Sequence, residues 1–528
     1  MLLALLASTA WADWTGSGTK DDPYQIKTTA DLDELAQRVN ETYEFPGDAY
    51  FRLCADISYS HETDWDQSES TENNFTPIGD DREFSGHFDG GGHTISGIRI
   101  YSENSHRGLF GEINGSVRNV ILADARIVGG NDVGGIVGDN VGVVENCYVA
   151  DDVYIGTISS DYENIGGIVG YLSSSESSVI GCVSSATIVG WRNCGGIVGY
   201  ARFPSSVSYC CAIGVKISCL NGSLGAIVGA IDDFDHMLSH NYYYNCVAND
   251  ENNNIGCLGY DPDLNDGAVR VNQFPLLDGY SNDLLFSIYL KDINDGVTLA
   301  GRTLYKDGSW NTLCLPFDIY SRSLMSDLYS PSSIMELKET TFVDGRLTLI
   351  FQPVDLNGDS EGSVMKAGKP YLIRWNRADD YQDNKEYDLV NPELSFTTVG
   401  NLSRTETEFA DFCGTFGAVD FPETDRRVLF LGKDDKLYYP EAGATIGAFR
   451  GFFRLKGLRI GDPSDPSNPG DEATTVKEFA LDYDMNVGTS LTSPTPVRGS
   501  DDIYNLSGQK LRHINKGINI VNGSKILK

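Results

Sequence analysis

The most regular feature of the chain is a short apolar unit that returns about every 30 residues. An Ile-Val-Gly triplet recurs at four aligned positions, at intervals of 32, 29 and 30 residues, and a variant copy, Leu109-Phe110-Gly111, precedes the first by 27 residues. Glycine pairs precede the first three triplets, whereas Gly225-Ala226 precedes the last. The triplets begin at Ile136, Ile168, Ile197 and Ile227. Short strands at this period, with no helix-length pattern, predict a parallel β-solenoid in which each repeat forms one coil.

A second set of equivalent positions lies between the triplets. It comprises Asn119-Val120, Asn146-Cys147, Gly181-Cys182, Tyr209-Cys210 and Asn245-Cys246. Coils of a solenoid lie about 4.8 Å apart, so small side chains at equivalent positions would stack along its axis. We expect these cysteines to be buried thiols, with disulfides along the column as the alternative. The repeat glycines are expected to serve sharp turns, because glycine accepts a positive φ without steric cost.

The segments before the repeats predict how the solenoid starts. Thr28 or Thr29 can cap a short helix that has one apolar face. That face comprises Leu32, Leu35, Ala36 and Val39. Such a helix would cover the open end of the solenoid, where an exposed strand edge would favour aggregation. Residues 84–95 predict a strand, a tight turn and a strand, assigned to the first coil, and the acidic segment 65–74 predicts an exposed loop.

The C-terminal half has a different pattern. From about residue 297 the glycine period stops, and alternating apolar segments separated by turns predict an antiparallel β-sandwich. These segments are 310–317, 346–351, 370–375, 428–431, 437–439 and 449–455. Several of their aromatic residues could form a sugar-stacking platform, but their position inside the strands favours core packing. They are Trp310, Trp375, Phe449, Phe452 and Phe453.

The chain is therefore predicted to be all-β, with a parallel β-helix, an antiparallel β-sandwich and a small C-terminal β module. The predicted divisions are a signal peptide at 1–12, an N-terminal cap and first coil at 13–104, the repeats at 105–260, a connector at 261–296, the sandwich at 297–461, a Pro/Ser/Asp-rich linker at 462–475 and the module at 476–528. The signal peptide rests on the apolar run 1–7 and on Ala10 and Ala12, which predict cleavage before Asp13.

The Gly-Gly-Ile-Val-Gly units resemble the GLUG repeat family, found in bacterial surface proteins, adhesin-like proteins and regions flanking certain IgA-specific metallopeptidases. The resemblance implies a β-helix in an extracellular setting and no particular reaction. The C-terminal strands Tyr504-Asn505-Leu506-Ser507-Gly508 and Lys516-Gly517-Ile518-Asn519-Ile520-Val521 are similar to those of modules on proteins exported by type IX secretion. That second resemblance implies export to the cell surface.

The charge balance limits the partners. With 40 Lys and Arg against 75 Asp and Glu, the formal net charge is −35, which disfavours nucleic acid and anionic membrane surfaces. No apolar run approaches the roughly 18 residues that a membrane-spanning helix needs. The expected partner is an extracellular glycan or a host or matrix protein, and the expected location is secreted or on the outer cell surface.

One segment has the spacing of a calcium loop, in which oxygen ligands alternate along the chain. The candidate ligands are Asp355, Asn357, Asp359 and Glu361. The sixth position of the pattern is Ser360 where glycine is usual, and the twelfth is Lys366 where a bidentate glutamate belongs. A polar hairpin turn explains the same residues, and no other cofactor is predicted.

Two enzyme classes lack the residue patterns they need. A zinc metallopeptidase places two histidines around a glutamate on one helix, whereas His61-Glu62 lacks the second histidine, and His236 and His240 lack the glutamate. A polysaccharide-cleaving β-helix needs convergent carboxylates, but the neighbours in Asp151-Asp152 and Asp232-Asp233 would face opposite sides of a strand.

We therefore predict an exported, non-enzymatic, adhesin-like protein whose β-helix presents a surface to a ligand. The alternative is a carbohydrate-active β-helix enzyme, either a polysaccharide lyase or a glycoside hydrolase, and a third possibility is a structural component of the cell envelope. The glycine units repeat too regularly to specify one ligand. Function is expected in the variable segments between them, such as 159–164 and 173–178.

Overall fold

The computed structural model describes two compact units, Met1–Arg270 and Val271–Lys528. Its described residues are 14–41, 45, 47, 49–61, 71–232, 237–248, 268–277, 296–356, 363–376, 388–394, 401–460 and 475–483, without 272, 322, 391 and 433–434, together with short strands between 489 and 527. The first unit contains a parallel β-solenoid of about seven coils. The second consists mostly of antiparallel sheets. The all-β prediction is confirmed.

The solenoid strands form five parallel sheets, named here faces I to V in the order in which a complete coil visits them. Face I consists of Phe110–Ile113, Val137–Asn140, Val169–Leu172, Val198–Ala201 and Val228–Ile231. Face II consists of Tyr24–Ile26, Tyr50–Leu53, His87–Asp89, Ser116–Arg118, Val143–Glu145, Ser178–Ile180, Ser206–Ser208 and Met237–Ser239.

The other three faces complete the coil. Face III consists of Ile57–Ser58, Thr94–Ser96, Ile121–Ala123, Tyr148–Val149, Val183–Ser184, Cys211–Ile213, Asn241–Tyr244 and Ala268–Arg270. Face IV consists of Arg99–Tyr101, Arg126–Gly129, Tyr154–Thr157, Thr187–Gly190, Lys216–Cys219 and Val247–Ala248. Face V consists of Val133–Gly134, Glu163–Gly166, Arg192–Gly195 and Leu224–Gly225.

Equivalent residues of successive coils pair in register, which makes the core a continuous stack. In face IV, Ile127 pairs with Ile100 in the preceding coil and with Ile155 in the next, and all three are at least 98% buried. Each such side chain removes its apolar surface from water on both sides, a contribution of about 1.5–3 kcal/mol per fully buried isoleucine. A single coil has no such neighbours, so stability depends on the stacking.

The repeat glycines do not have positive φ angles, so the prediction that they serve left-handed turns is wrong. Backbone atoms instead occupy the space of their missing side chains. A Cβ on the first glycine of each pair would lie 1.8–2.1 Å from the carbonyl oxygen of the valine three residues later. A Cβ on the glycine of each of the four aligned triplets would lie 2.4–2.6 Å from backbone atoms of the solenoid. These glycines permit a close backbone approach that no side chain allows.

The second glycine of each pair explains why the last pair differs. A Cβ on Gly135, Gly167 or Gly196 would lie 1.9–2.5 Å from the carbonyl oxygen of the equivalent residue in the next coil. For Gly196 that residue is Ala226. The described strands of face I end with Val228–Ile231, in the same coil as Ala226. Among the described residues, Ala226 therefore has no equivalent carbonyl above it, and a methyl group fits.

Positive φ angles occur instead at rows of corner residues, among them one between faces II and III and one at the start of face V. The row between faces II and III comprises Asn119, Asn146, Gly181, Tyr209 and His240, with φ between 53° and 64°. The row at the start of face V, called here the corner row before face V, comprises His106, Asp132, Asn164 and Asn193, with φ between 56° and 70°. Asparagine and aspartate tolerate this region better than most residues, because their short polar side chains can form local hydrogen bonds.

The predicted cysteine column needs one correction. Tyr244 pairs with Ile213, so Asn245-Cys246 aligns with Gly214 and its successor and belongs to a different corner. The position above Cys210 is Asn241, whose Oδ1 accepts a hydrogen bond from the Cys210 N–H at 3.0 Å. The other members follow the prediction, since Cys147, Cys182 and Cys210 are buried thiols at equivalent positions.

The N-terminal helix is confirmed as Thr29–Glu41. Thr28 caps it, because the Thr28 Oγ1 accepts a hydrogen bond from the Asp31 N–H at 3.2 Å and an Asp31 carboxylate oxygen accepts one from the Thr28 N–H at 3.0 Å. The four predicted apolar residues are the buried ones. Face II already begins at Tyr24–Ile26, so the parallel ladder starts before the segment assigned to the first coil. Residues 65–70 of the predicted loop lie outside the described residues.

Two sheets form the sandwich of the second unit. One consists of Asn311–Cys314, Pro370–Arg374, Ser333–Val343, Arg346–Pro353, Glu478–Asp482 and Thr489–Leu491, and only the pairing between Arg346–Pro353 and Glu478–Asp482 is parallel. The other is antiparallel and consists of Arg404–Thr405, Ala410–Gly414, Gly451–Leu455, Val428–Leu431 and Leu437–Tyr438. Phe351 of the first sheet and Phe412 and Phe453 of the second share one apolar core.

Smaller elements complete the second unit. They are the strands Phe274–Leu277, Val297–Ala300, Thr303–Leu304, Ile319–Tyr320, Ser363–Met365, Leu389–Val390, Glu393–Leu394, Val419–Phe421, Ala444–Ile446, Arg459–Ile460 and Thr475–Val476 and the short helix Ser323–Ser326. The C-terminal strands Ile503–Asn505, Lys510–Leu511, Ile518–Val521 and Ser524–Leu527 form an antiparallel sheet. The five aromatic residues considered for a sugar platform are at most 6% exposed, so they are core residues.

Candidate functional site

The residues singled out from the sequence do not come together in one site. Asp355 follows the strand Arg346–Pro353, while Asn357, Asp359 and Glu361 lie outside the described residues, so the calcium loop stays a prediction. His61 forms an ion pair with Asp124, with 2.9 Å between Nε2 and Oδ2. The His240 ring stacks on Tyr209. Within the described part of the chain, no group of three or more His, Cys, Asp or Glu side chains could hold a metal ion.

A different cluster forms where the corner row before face V meets face I. We call it the face I site. It consists of His106, Glu112, Asp132, Asp139, Tyr171, Ser173, Tyr200 and Arg202. All of these residues lie in the described segment 71–232.

The corner row supplies one side of the site through a ladder of side-chain hydrogen bonds. Asn193 Nδ2 donates to Asn164 Oδ1 at 2.7 Å, and Asn164 Nδ2 donates to Asp132 Oδ1 at 2.7 Å. The other Asp132 oxygen lies 3.3 Å from His106 Nε2. The ladder therefore ends in an ion pair, and its direction fixes which Asp132 oxygen faces the histidine.

The third position of each face I strand supplies the other side. Glu112, Asp139, Tyr171 and Tyr200 are register partners on four successive coils. Asp139 is 7% exposed, whereas its three partners are partly exposed. One Asp139 oxygen accepts a hydrogen bond from Ser173 Oγ at 2.5 Å, and the other lies 4.0 Å from His106 Nε2.

The electrostatics of the site follow from burial and from crowding of carboxylates. Burial raises the pKa of Asp139 to about 6, and the nearby charges of Glu112 and Asp132 act in the same direction. The hydrogen bond with Asp132 raises the pKa of His106, and Asp139 and Glu112 add to that effect. Asp139 can therefore take up and release a proton close to neutral pH, the property that general acid–base groups need.

The two tyrosines form a stacked pair at the outer end of the row. Their ring centroids are 5.8 Å apart and the rings are 12° from parallel. Arg202 donates a hydrogen bond to the Tyr171 hydroxyl oxygen at 3.4 Å. The register partner of Tyr200 in the next coil is Ala230, which has no ring. Within this row, one face of the Tyr200 ring therefore has no aromatic neighbour, and the charge of Arg202 lies near the ring.

Sequence reasoning did not identify this site, although a signal for it exists. Four of its residues directly follow the repeated glycine of each unit, a position that varies while its neighbours repeat. Ser173 and Asn164 also fall inside the variable segments where function was expected. The sequence alone did not show that His106 would approach Asp139, since 33 residues separate them and only the coil geometry brings them together.

No family model matches the chain. The chain is 35% identical over 164 residues to halomucin of Haloquadratum walsbyi, and the match covers 30% of this chain and 2% of halomucin. It is 36% identical over 146 residues to a protein of Evansella cellulosilytica named as a candidate Gly-rich membrane protein, covering 25% of this chain and 15% of that protein. The chain thus spans a small part of the length of both relatives.

Among solved structures, one match is a candidate immunoglobulin A1 protease from Bacteroides ovatus. It has a TM-score of 0.34 and 20% sequence identity, over 56% of this chain and 92% of that one. Neither helix that the structure describes, Thr29–Glu41 or Ser323–Ser326, has the length and apolarity to cross a membrane.

Proposed function

We propose that the chain is an exported cell-surface or secreted protein, adhesin-like and non-enzymatic, that binds an extracellular glycan or a host or matrix protein through the solenoid. The observation that carries the proposal is the face I site, where partly exposed tyrosines, an arginine and carboxylates converge on one edge of a rigid stack. Sites that recognise small polar ligands combine aromatic surface with a few oriented polar groups. Function on a rigid scaffold also costs little ordering entropy on binding.

Separate observations support the extracellular location in this proposal. The relatives that match part of the chain carry names of a mucin type and of a membrane protein. The net charge of −35 favours solubility and opposes binding to polyanions. The GLUG and type IX resemblances of the repeats and the C-terminal strands point to the same address. Surface labelling of intact cells tests it, and a chain that no extracellular reagent can reach would contradict it.

A binding screen distinguishes a glycan ligand from a protein ligand. Purified protein is applied to glycan arrays, mucin and matrix proteins, and saturable binding to at least one of them is expected. The ligand should be neutral or cationic, because Asp232 and Glu163 near Tyr200 and the net charge of −35 oppose an anionic group at this position. Uniform failure to bind the whole panel would contradict the proposal.

A carbohydrate-active enzyme is the second candidate, and Asp139 is the observation that favours it. A buried carboxyl with its pKa near 6 has the properties of a general acid, and Glu112 on the adjacent coil would supply a second carboxylate. Release of reducing sugar from a polysaccharide panel would support this reading, provided that Asp139→Asn abolishes it. Binding without any sugar release favours the adhesin-like function.

A further inference from the structure

The thiols of Cys194 and Cys219 meet where faces IV and V of neighbouring coils adjoin. Cys194 lies in the face V strand Arg192–Gly195, and Cys219 ends the face IV strand Lys216–Cys219 of the next coil. The Cys219 sulfur lies 3.6 Å from the carbonyl oxygen of Trp191 and 3.4 Å from that of Ser223, and the Cys194 thiol lies within hydrogen-bonding reach of it. Cys194 is fully buried and Cys219 is 5% exposed.

Gly190 makes this contact possible. It is the register partner of Cys219, and a Cβ on Gly190 would lie 2.8 Å from the sulfur of Cys194. The Cys194 sulfur therefore occupies the space that Gly190 leaves empty, directly beside the coil step at which Cys219 lies. The equivalents of Cys194 in the adjacent coils are Ile165 and Leu224, which carry no thiol. Both sulfurs thus belong to a single step of the stack.

We propose that Cys194 and Cys219 form a disulfide that links two adjacent coils once the chain reaches an oxidising compartment. The compartment rests on the export part of the proposed function, whereas the pairing rests on the contact itself. Disulfides form and persist in extracellular and periplasmic settings. The repeat itself does not require this pair, because the residues equivalent to Cys194 in the adjacent coils are Ile165 and Leu224. The disulfide would therefore be specific to these two coils.

Cys219 is the nucleophile. The hydrogen bond from Cys194 lowers the pKa of Cys219, which favours the reactive thiolate. The residue also borders the turn at 220–223, where Leu220 is 70% exposed, so an oxidant can approach from that side. By contrast, Cys147 and Cys182 are at least 99% buried, and the Cys182 sulfur accepts a hydrogen bond from the Cys147 N–H at 3.4 Å.

The oxidant is a disulfide, either glutathione disulfide or a protein dithiol oxidase. The Cys219 thiolate attacks one of its sulfurs, forms a mixed disulfide and releases a thiolate, which takes up a proton. Cys194 then loses its proton to solvent and attacks the Cys219 sulfur, which forms the cross-link and releases the second thiolate of the oxidant. The two cysteines lose two electrons and two protons in total, and the oxidant disulfide is reduced to two thiols.

The test counts and maps thiols in the purified full-length chain, which has 11 cysteines. After treatment with glutathione disulfide and removal of excess reagent, the unfolded protein should have lost two titratable thiols. Peptide mapping without reductant should join the peptides that contain Cys194 and Cys219. The melting temperature of the oxidised protein should exceed that of the reduced protein by several degrees, because the link restricts the unfolded chain.

Variants separate this pair from the other cysteines. Cys219→Ser and Cys194→Ser should lose no thiol pair on oxidation, whereas Cys211→Ser, which changes a buried cysteine of face III, should still form the cross-link. Failure of the wild type to cross-link in vitro, or a map that joins Cys182 to Cys147 or Cys210, would overturn the proposal wherever the protein is located. A chain that cross-links in vitro but is confined to the cytoplasm would overturn the proposed function instead.

Discussion

The side-chain amide of Asn164 donates a hydrogen bond at 2.7 Å to the carboxylate of Asp132 in the preceding coil. Both residues have a left-handed backbone, with φ angles of 70° and 60°. Asn164 thus has two roles. It adopts the left-handed backbone conformation that the corner needs, and its side chain belongs to the hydrogen-bond ladder that orients Asp132 toward His106. This pairing links the regular architecture of the solenoid to the face I site.

Substitution of Asn164 separates the two functions. Asn164→Gly keeps the left-handed corner but loses the hydrogen bonds with Asp132 and Asn193, and should lower the free energy of unfolding by about 1–2 kcal/mol. Asn164→Ala adds the cost of a positive φ and should lower it by about 2–3 kcal/mol. Urea titration of the purified protein measures both. Equal losses of unfolding free energy in the two variants would show that the positive φ at position 164 contributes no measurable cost.

The close approach of the repeat glycines predicts that Gly170→Ala is strongly destabilising. A Cβ at this position would lie 2.5 Å from the carbonyl carbon of Asp132, and the backbone would have to shift. The expected loss is about 3 kcal/mol. Gly47→Ala is the matched control, because its Cβ would find ordinary contacts at 3.6 Å and should change stability by less than about 0.5 kcal/mol. A neutral Gly170→Ala would show that the coils are spaced more loosely than described.

The pKa of Asp139 predicts how stability depends on pH. Between its ordinary pKa of 3.8 and its folded-state pKa of about 6, the folded protein holds a proton that the unfolded chain has released. Asp139 therefore lowers the free energy of unfolding as the pH rises through this window. His106, whose pKa is raised from 6.5, acts with the same sign at higher pH, since its stabilising contribution is lost as the pH rises through the folded-state pKa.

Asn at position 139 cannot titrate, so Asp139→Asn should remove the first effect. The variant and the wild type should be similarly stable at pH 4, and the variant should be more stable at pH 7, by up to about 3 kcal/mol. Denaturant titrations at pH 4, 5.5 and 7 measure the difference, with the exposed Asp151→Asn as the control. A difference that does not change with pH would show that Asp139 ionises as it does in the unfolded chain.

Asn241 predicts a large effect at the end of the cysteine column. Its side chain is fully buried, accepts from the Cys210 N–H at 3.0 Å and donates to the Val207 carbonyl at 2.9 Å. Asn241→Ala leaves both groups unpaired and should lower the free energy of unfolding by about 2–4 kcal/mol. The exposed Asn221→Ala serves as the control in the same urea titration. A loss as small as that of Asn221→Ala would place Asn241 in contact with water.

The solenoid could be predicted from the sequence because every coil repeats the same short pattern of apolar residues and glycines. The triplet that begins at Ile136, the Thr28 cap and the six apolar segments of the sandwich all follow periods or signals that act within a few residues. The wrong placement of Asn245-Cys246 in the cysteine column has a non-local cause. Its residue types match the column, but the register of Asn241–Tyr244 against Cys211–Ile213 decides the alignment, and that pairing is not written in any local pattern.

The role of the repeat glycines and the location of the face I site could be identified only from the three-dimensional structure. A recurring glycine indicates either a positive φ or a close approach, and only the contact between Gly170 and Asp132 distinguishes the two. Likewise, Asp139 and Tyr200 could be marked as variable positions within the repeat. The approach of His106 to Asp139 depends on how the corner before face V folds against face I.

The binding surface is tested most directly by comparing Tyr171→Ala/Tyr200→Ala with the wild type in a titration against the ligand that the binding screen identifies. The double variant should retain the fold and lose binding at least about tenfold, which corresponds to about 1.4 kcal/mol. Tyr162→Ala, a partly exposed tyrosine in the turn before face V, should bind like the wild type. Unchanged affinity in the double variant would contradict the assignment of the face I site as the ligand surface.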